Sequence, residues 1–154
     1  MVAAFFPEVQ LYRGNPFDVT KAARPLYAAI LARSSVVALA PEHLVYEFTK
    51  TAHRKTKEGR GTDLESVTRQ VDDFLYLWGQ GIRRVPMGDL AKEAWRLSTR
   101  EQIAPPDSWY LACAIIHKAE LWIASRDTKD HFADHAREVH QEVYVLTGTP
   151  FNEP

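Results

Sequence analysis

Short strand-length runs that alternate with longer stretches of helical periodicity constrain this chain more than any other feature. The runs are Val36–Leu39 (VVAL), Ile82–Val85 (IRRV), Leu121–Ala124 (LWIA) and Val143–Leu146 (VYVL). Between them, apolar spacing and breakers predict helices over Asp18–Ala32, from Pro41 to about Lys57, over Thr62–Trp78, over Asp89–Arg100 and from Asp107 onward, with a polar helical turn before the last strand. Thr62 and Glu65 have capping-box spacing, and Val67, Val71, Phe74, Leu75 and Trp78 fall on one face of the helix they open. Strands that alternate with helices pair in parallel, because the crossover helix returns the chain to the same edge. The expectation is one three-layer α/β/α domain over residues 1–148, with a mainly parallel central sheet and a tail over 149–154.

At 154 residues the chain suits one domain with a real core. A net charge of -1 argues against a whole-molecule electrostatic grip on nucleic acid, so any such contact must be local. The one cysteine, Cys113, falls among apolar residues in mid-helix. That leaves no internal disulfide and no cysteine metal cluster, and fits a reducing, cytoplasmic setting. The apolar start MVAAFF is stopped by Pro7 and Glu8, far short of a signal core or membrane span.

The predicted order of elements brings acids together. In Pro105–Asp130 (PPDSWYLACAIIHKAELWIASRDTKD), Asp107 opens a helix and Asp127 follows the strand that the helix leads into. A helix entering a parallel strand runs antiparallel to it, so helix start and strand end share an edge, the edge where open α/β sheets keep their sites. Glu47 lies early in the helix after the first predicted strand, on a stripe with Leu44, Phe48 and Thr51, where an ionised carboxylate needs a partner. Tyr110, Leu111 and Ala114 continue the face of Asp107 in the same way. With Asp130, these residues make a carboxylate cluster that calls for a cation. Oxygen ligands of this kind suit Mg²⁺ or Mn²⁺, and phosphodiester hydrolysis is the reaction class such an ion serves. Taken singly, Asp107 also reads as a helix cap or first-turn acid, and Asp127 and Asp130 as caps.

These segments resemble the PIN-domain nucleases, and among them the VapC-like toxins of toxin-antitoxin pairs. APEHLVYEFTKTAHRKTKEGRG is similar to the family's strand-to-helix segment and carries its second acid onto Glu47. IRRVPMGDLAKEAWRLSTREQIAPPDSWYLACAIIHKAELWIASRDTKDHF resembles its later half, with the third acid on Asp107, the fourth on Asp127 and an additional acid on Asp130. The resemblance implies a metal-dependent ribonuclease holding Mg²⁺ or Mn²⁺, an RNA substrate, a small antitoxin partner and a homodimer. It also implies a departure. AAFFPE at Ala3–Glu8 matches the end of the family's first helix, which puts the opening strand and first acid upstream of Met1. In a second alignment Val2–Phe6 is that strand, with Glu8 or Asp18 in the acid's place. A PIN-like domain that binds RNA or protein without cleaving is the alternative.

Other residues allow more than one reading. His53, Arg54, Lys55, Lys57 and Arg60 form a basic cluster that suits either an RNA backbone or a solvated helix C-terminus. His131 and His135 have the spacing of two ligands on a helical face, with His140 beyond, but no HExxH accompanies them. Val67, Val71, Phe74 and Trp78, with Tyr76 nearby, read as core before interface.

Overall fold

Residues 25–32, 37–58, 64–123 and 132–145 are described by the computed structural model. After a helical segment over 25–31 come β1 (Ala38–Pro41), α1 (Leu44–Glu58), α2 (Leu64–Gln80), β2 (Ile82–Val85), α3 (Met87–Arg100), α4 (Pro105–His117), β3 (Leu121–Ile123), α5 (Phe132–Val139) and β4 (Val143–Val145). The chain is mixed α/β. β1 pairs with β2 and β3 with β4, both in parallel, with Ala38 opposite Ile82 and Leu121 opposite Val143. The parallel direction therefore follows the alternation, but the described strands form two pairs of three or four residues each instead of one continuous sheet. No helix among the described residues is long and apolar enough to cross a membrane.

Several boundaries shift for local reasons. β1 starts at Ala38, and Val37, expected inside it, is 71% exposed. Pro41 is the last residue of β1, opposite Val85, and does not open α1. Proline has no amide hydrogen to give a ladder, so it sits at a strand's end, and the next amide, Glu42 N–H, donates to the Val85 carbonyl (3.1 Å). A turn through Glu42 and His43 follows, and Glu47 consequently lies in the first turn of α1. In α2 the buried stripe is Val67, Phe74, Leu77 and Trp78, while Leu75, expected inward, is exposed. Thr62, the expected cap, lies outside the described residues. Glu65 pairs with exposed Arg69 at 3.2 Å.

Two cores receive alternate residues of the same strands. Ala38, Ala40, Ile82 and Trp122 join the core of α1, α2 and the 25–31 segment. Leu39, Val85, Leu121, Ile123 and Val143 join the core of α3, α4 and α5. In β1 and β3 this is the period-two pattern of strands buried on both faces, whereas β2 buries its end residues Ile82 and Val85 and exposes Arg83 and Arg84. In the first core Phe48 stacks on Phe74 with ring centroids 3.8 Å apart, tying α1 to α2. In the second, where α3 packs along α4, Leu90, Leu97, Leu111, Ala112 and, from α5, Ala136 are fully buried.

α4 is positioned at both ends by its own sequence. Ala104 takes the N-cap and Pro105 and Pro106 the first two helical positions, where a missing amide hydrogen costs nothing. Ser108, buried, turns its hydroxyl back to the Pro105 carbonyl (2.8 Å). At the other end Lys118 adopts a left-handed conformation with φ 50°. The Lys118 and Ala119 amides close onto the carbonyls of Ile115 and Ala114.

Candidate active site

Glu47 and Asp107 each ride in the first turn of a helix, α1 and α4 respectively. With the N-cap at Ala104, Asp107 is not the cap residue, although a first-turn acid still gains from the helix dipole. Tyr110, one turn beyond Asp107, donates its hydroxyl to Glu47 Oε2 at 2.6 Å. The Tyr110 hydroxyl is held well above the usual tyrosine range. Burial is the largest cause, followed by the bond to Glu47, the Glu47 charge and the Asp107 charge. Both carboxylates therefore act on one phenol, and the starts of two helices converge there. Both acids and Tyr110 are part-buried, and the inward neighbours Leu44, Phe48, Leu111 and Ala114 are buried as their stripes foretell.

His43 completes this group, and sequence reasoning missed it. Its Nδ1 lies 3.2 Å from Met87 Sδ, and its ring centroid is 5.1 Å from that of Tyr110 and 6.1 Å from that of Trp109. A thioether can only accept, so the proton belongs on Nδ1 and Nε2 keeps its lone pair. Nε2 is buried without a hydrogen-bond partner and stands 3.6 Å from Glu47 Oε1, beyond hydrogen-bond reach. Two influences on His43 oppose each other. Burial lowers its pKa and the Glu47 charge raises it, and burial wins. The pair is therefore a neutral imidazole facing a carboxylate, not a salt bridge. The signal was available: His43 precedes Glu47 by four residues, the spacing that puts two side chains on one helical face.

The remaining expected ligands, Asp127 and Asp130, lie outside the described residues, as do Glu8 and Asp18. Among the described residues no group of three or more His, Cys, Asp or Glu side chains is arranged to hold a metal ion. Carboxylate oxygen and imidazole nitrogen are nonetheless donor types that divalent cations accept. Tyr110 occupies Glu47 Oε2 and leaves Oε1 facing the unpaired His43 Nε2, with the Asp107 charge close enough to act on the same phenol.

Farther along α1, His53, Arg54 and Lys57 are exposed, while the Lys55 side chain and Arg60 lie outside the described residues. Of the late histidines, His131 also lies outside them, and His135 is exposed on α5. His140 sets Nε2 at 2.9 Å from the Ala119 carbonyl, a tie between the end of α5 and the turn after α4. In α2, Val67, Phe74 and Trp78 are buried in the first core with Val71 against it, whereas Tyr76 is exposed. Cys113 is buried, and burial pushes its thiol up to about 11, which keeps it protonated and unreactive.

No family model matches this sequence, and comparison with curated proteins and with solved structures returns no significant match.

Proposed function

We propose that this chain is a PIN-like, divalent-metal-dependent ribonuclease of the VapC type, in which Glu47, Asp107, Asp127 and Asp130 hold Mg²⁺ or Mn²⁺. The observation that carries the reading is the Tyr110–Glu47 hydrogen bond, which joins the first turn of α1 to the second turn of α4 and brings the Asp107 charge to bear on the same hydroxyl. The fold reading is a three-layer domain in which the two strand pairs belong to one parallel sheet. It is supported by β1 and β3, one strand from each pair, which send alternate residues to the same two helical cores. In that arrangement both helices start at the carboxyl ends of the strands, where open α/β sheets bind ligands.

A bound divalent ion supplies an activated water and charge stabilisation at phosphorus. The chain's own residues supply position. Tyr110 fixes the Glu47 carboxylate through Oε2 so that Oε1 is presented in one orientation. Trp109 and Tyr110 wall the His43 side of the group. Arg54 lies about two turns beyond Glu47, roughly 10 Å along the helix, and with Lys57 offers positive charge to an RNA backbone beside the acids. A small antitoxin, a second copy of the chain and a cytoplasmic setting belong to the same reading.

Its test is cleavage of single-stranded and structured RNA by the full chain with Mg²⁺ or Mn²⁺. Glu47→Gln and Asp107→Asn are each expected to lower cleavage by about tenfold or more, at least the effect of losing an outer-shell partner. Cleavage that survives Asp107→Asn unchanged overturns the site. The second reading is a PIN-like binding module without cleavage. It is favoured by the grip of Tyr110 on Glu47 and yields RNA or protein binding with no metal-dependent products.

A further inference from the structure

The proposed metal site has an atom that an all-carboxylate reading leaves unexplained. His43 Nε2 is buried, carries a lone pair and has no hydrogen-bond partner. It faces another acceptor, Glu47 Oε1, at 3.6 Å. A buried acceptor left unpaired is destabilising, and one aimed at a carboxylate oxygen is no better placed. Moving the proton from Nδ1 to Nε2 would give up the contact with Met87 Sδ.

We infer that His43 Nε2 is a nitrogen ligand of the divalent ion, paired with Glu47 Oε1, and that it tunes the site toward Mn²⁺ and away from Mg²⁺. This rests on the metal-dependent reading above. Two donors each about 2.1 Å from a metal stand roughly 3.0–3.4 Å apart, depending on the angle between them. The observed 3.6 Å needs only a few tenths of an ångström of closure. Both ligands are already oriented from behind: Met87 takes the Nδ1 hydrogen of His43, and Tyr110 takes Oε2 of Glu47. Metal-bound histidines are commonly held this way, with the second ring nitrogen donating to a fixed acceptor. An imidazole changes the preference of the site, since Mg²⁺ favours oxygen donors and its own waters, whereas first-row transition ions accept nitrogen readily.

Pulsed EPR of the full chain loaded with Mn²⁺ tests the inference independently of activity. Coupling of the manganese spin to a ¹⁴N nucleus is expected, changing in the isotope-specific way when the histidines are ¹⁵N-labelled, and lost in His43→Gln. By calorimetry, His43→Gln should weaken Mn²⁺ binding on the order of tenfold or more, at least the effect of disturbing an outer-shell partner, and Mg²⁺ binding less. Stoichiometric Mn²⁺ with no nitrogen coupling, or coupling that persists in His43→Gln, overturns the His43 assignment and leaves a carboxylate site standing. Absence of any Mn²⁺ or Mg²⁺ binding overturns the metal-dependent reading itself, and this inference with it. The wild-type spectrum decides the first point even if the variant does not fold.

Discussion

Tyr110 and Glu47, sixty-three residues apart in sequence, meet in a 2.6 Å hydrogen bond that links the second turn of α4 to the first turn of α1. The two helices belong mainly to different cores, so the bond is also a polar tie between them at the place where the acids gather. A charge-assisted bond this short orients as well as stabilises.

Tyr110→Phe removes that bond while keeping the ring. Glu47 retains partial access to water, its side chain being 29% exposed, so its carboxylate can rehydrate and the loss should stay modest. We expect a stability decrease of about 1–2 kcal/mol. It should be read from the urea midpoint, with the slope of the transition unchanged. A variant as stable as the wild type would mean that the bond orients Glu47 without holding the helices.

The same group sets the pH response. Tyr110 has its pKa raised by burial, the Glu47 bond and the two carboxylate charges, and Tyr27 has its own raised by burial. Above about pH 10 the unfolded tyrosines release protons that the folded ones keep, so their contribution, complete below that pH, declines as pH rises further. Tyr110→Phe should flatten the alkaline decline. His43 acts in the opposite direction. Burial lowers its pKa, so below about pH 6.5 the unfolded chain takes up a proton that the folded one refuses, and stability falls with pH until the folded group titrates. Stability measured against pH in His43→Gln should show a shallower acid limb. An acid limb as steep as that of the wild type assigns the loss to other groups.

The sequence made the parts of this site visible without showing how they fit together. The stripes Leu44, Phe48 and Tyr110, Leu111, Ala114 were legible because apolar residues at helical spacing must face inward, and their placement put Glu47 and Asp107 where they could not point freely into water. What the spacing could not supply was the Tyr110–Glu47 bond, because a contact between two helices depends on how they pack. His43 was hidden for a related reason. β1 runs through Pro41, where α1 was expected to begin, and leaves His43 in the turn, its ring against Met87 at the start of α3, a contact that packing and not spacing creates. The strands were legible as elements but not as a sheet, since three or four residues fix a direction of pairing and little else. Leu75 shows the limit on α2: Leu77 fills the core in its place, one helical turn after the stacked Phe74.

Phe48 is the residue on which the first core depends. It is fully buried and stacked on Phe74, which in turn lies 6.0 Å from Trp78. Phe48→Ala opens a cavity between α1 and α2 directly behind Glu47, and we expect a loss of about 3–5 kcal/mol. Because Phe48 follows Glu47 in the chain, metal binding should weaken along with stability. Phe48→Leu, which keeps most of the volume, should restore much of both. Calorimetric unfolding and Mn²⁺ titration of the two variants separate the packing effect from any direct effect on the acids.

Gly81 connects α2 to β2 where there is no room for a side chain. Its amide donates to the Leu77 carbonyl at 2.8 Å. A Cβ at this position would stand 2.9 Å from Leu77 Cδ1 and 3.0 Å from Ile30 Cγ2. Both neighbours are buried, so neither can move aside without disturbing the first core. Gly81→Ala should therefore destabilise the fold by about 1–2 kcal/mol, as overpacking does, despite the better helix propensity of alanine. Lys118 offers the reverse change. It holds a left-handed conformation after α4 that glycine adopts without steric cost, so Lys118→Gly should raise stability by about 0.5–1 kcal/mol. Thermal unfolding of the two variants side by side checks both signs. A stabilised Gly81→Ala would mean that Leu77 and Ile30 repack freely, and a destabilised Lys118→Gly would mean that the lysine side chain contributes more than its backbone strain costs.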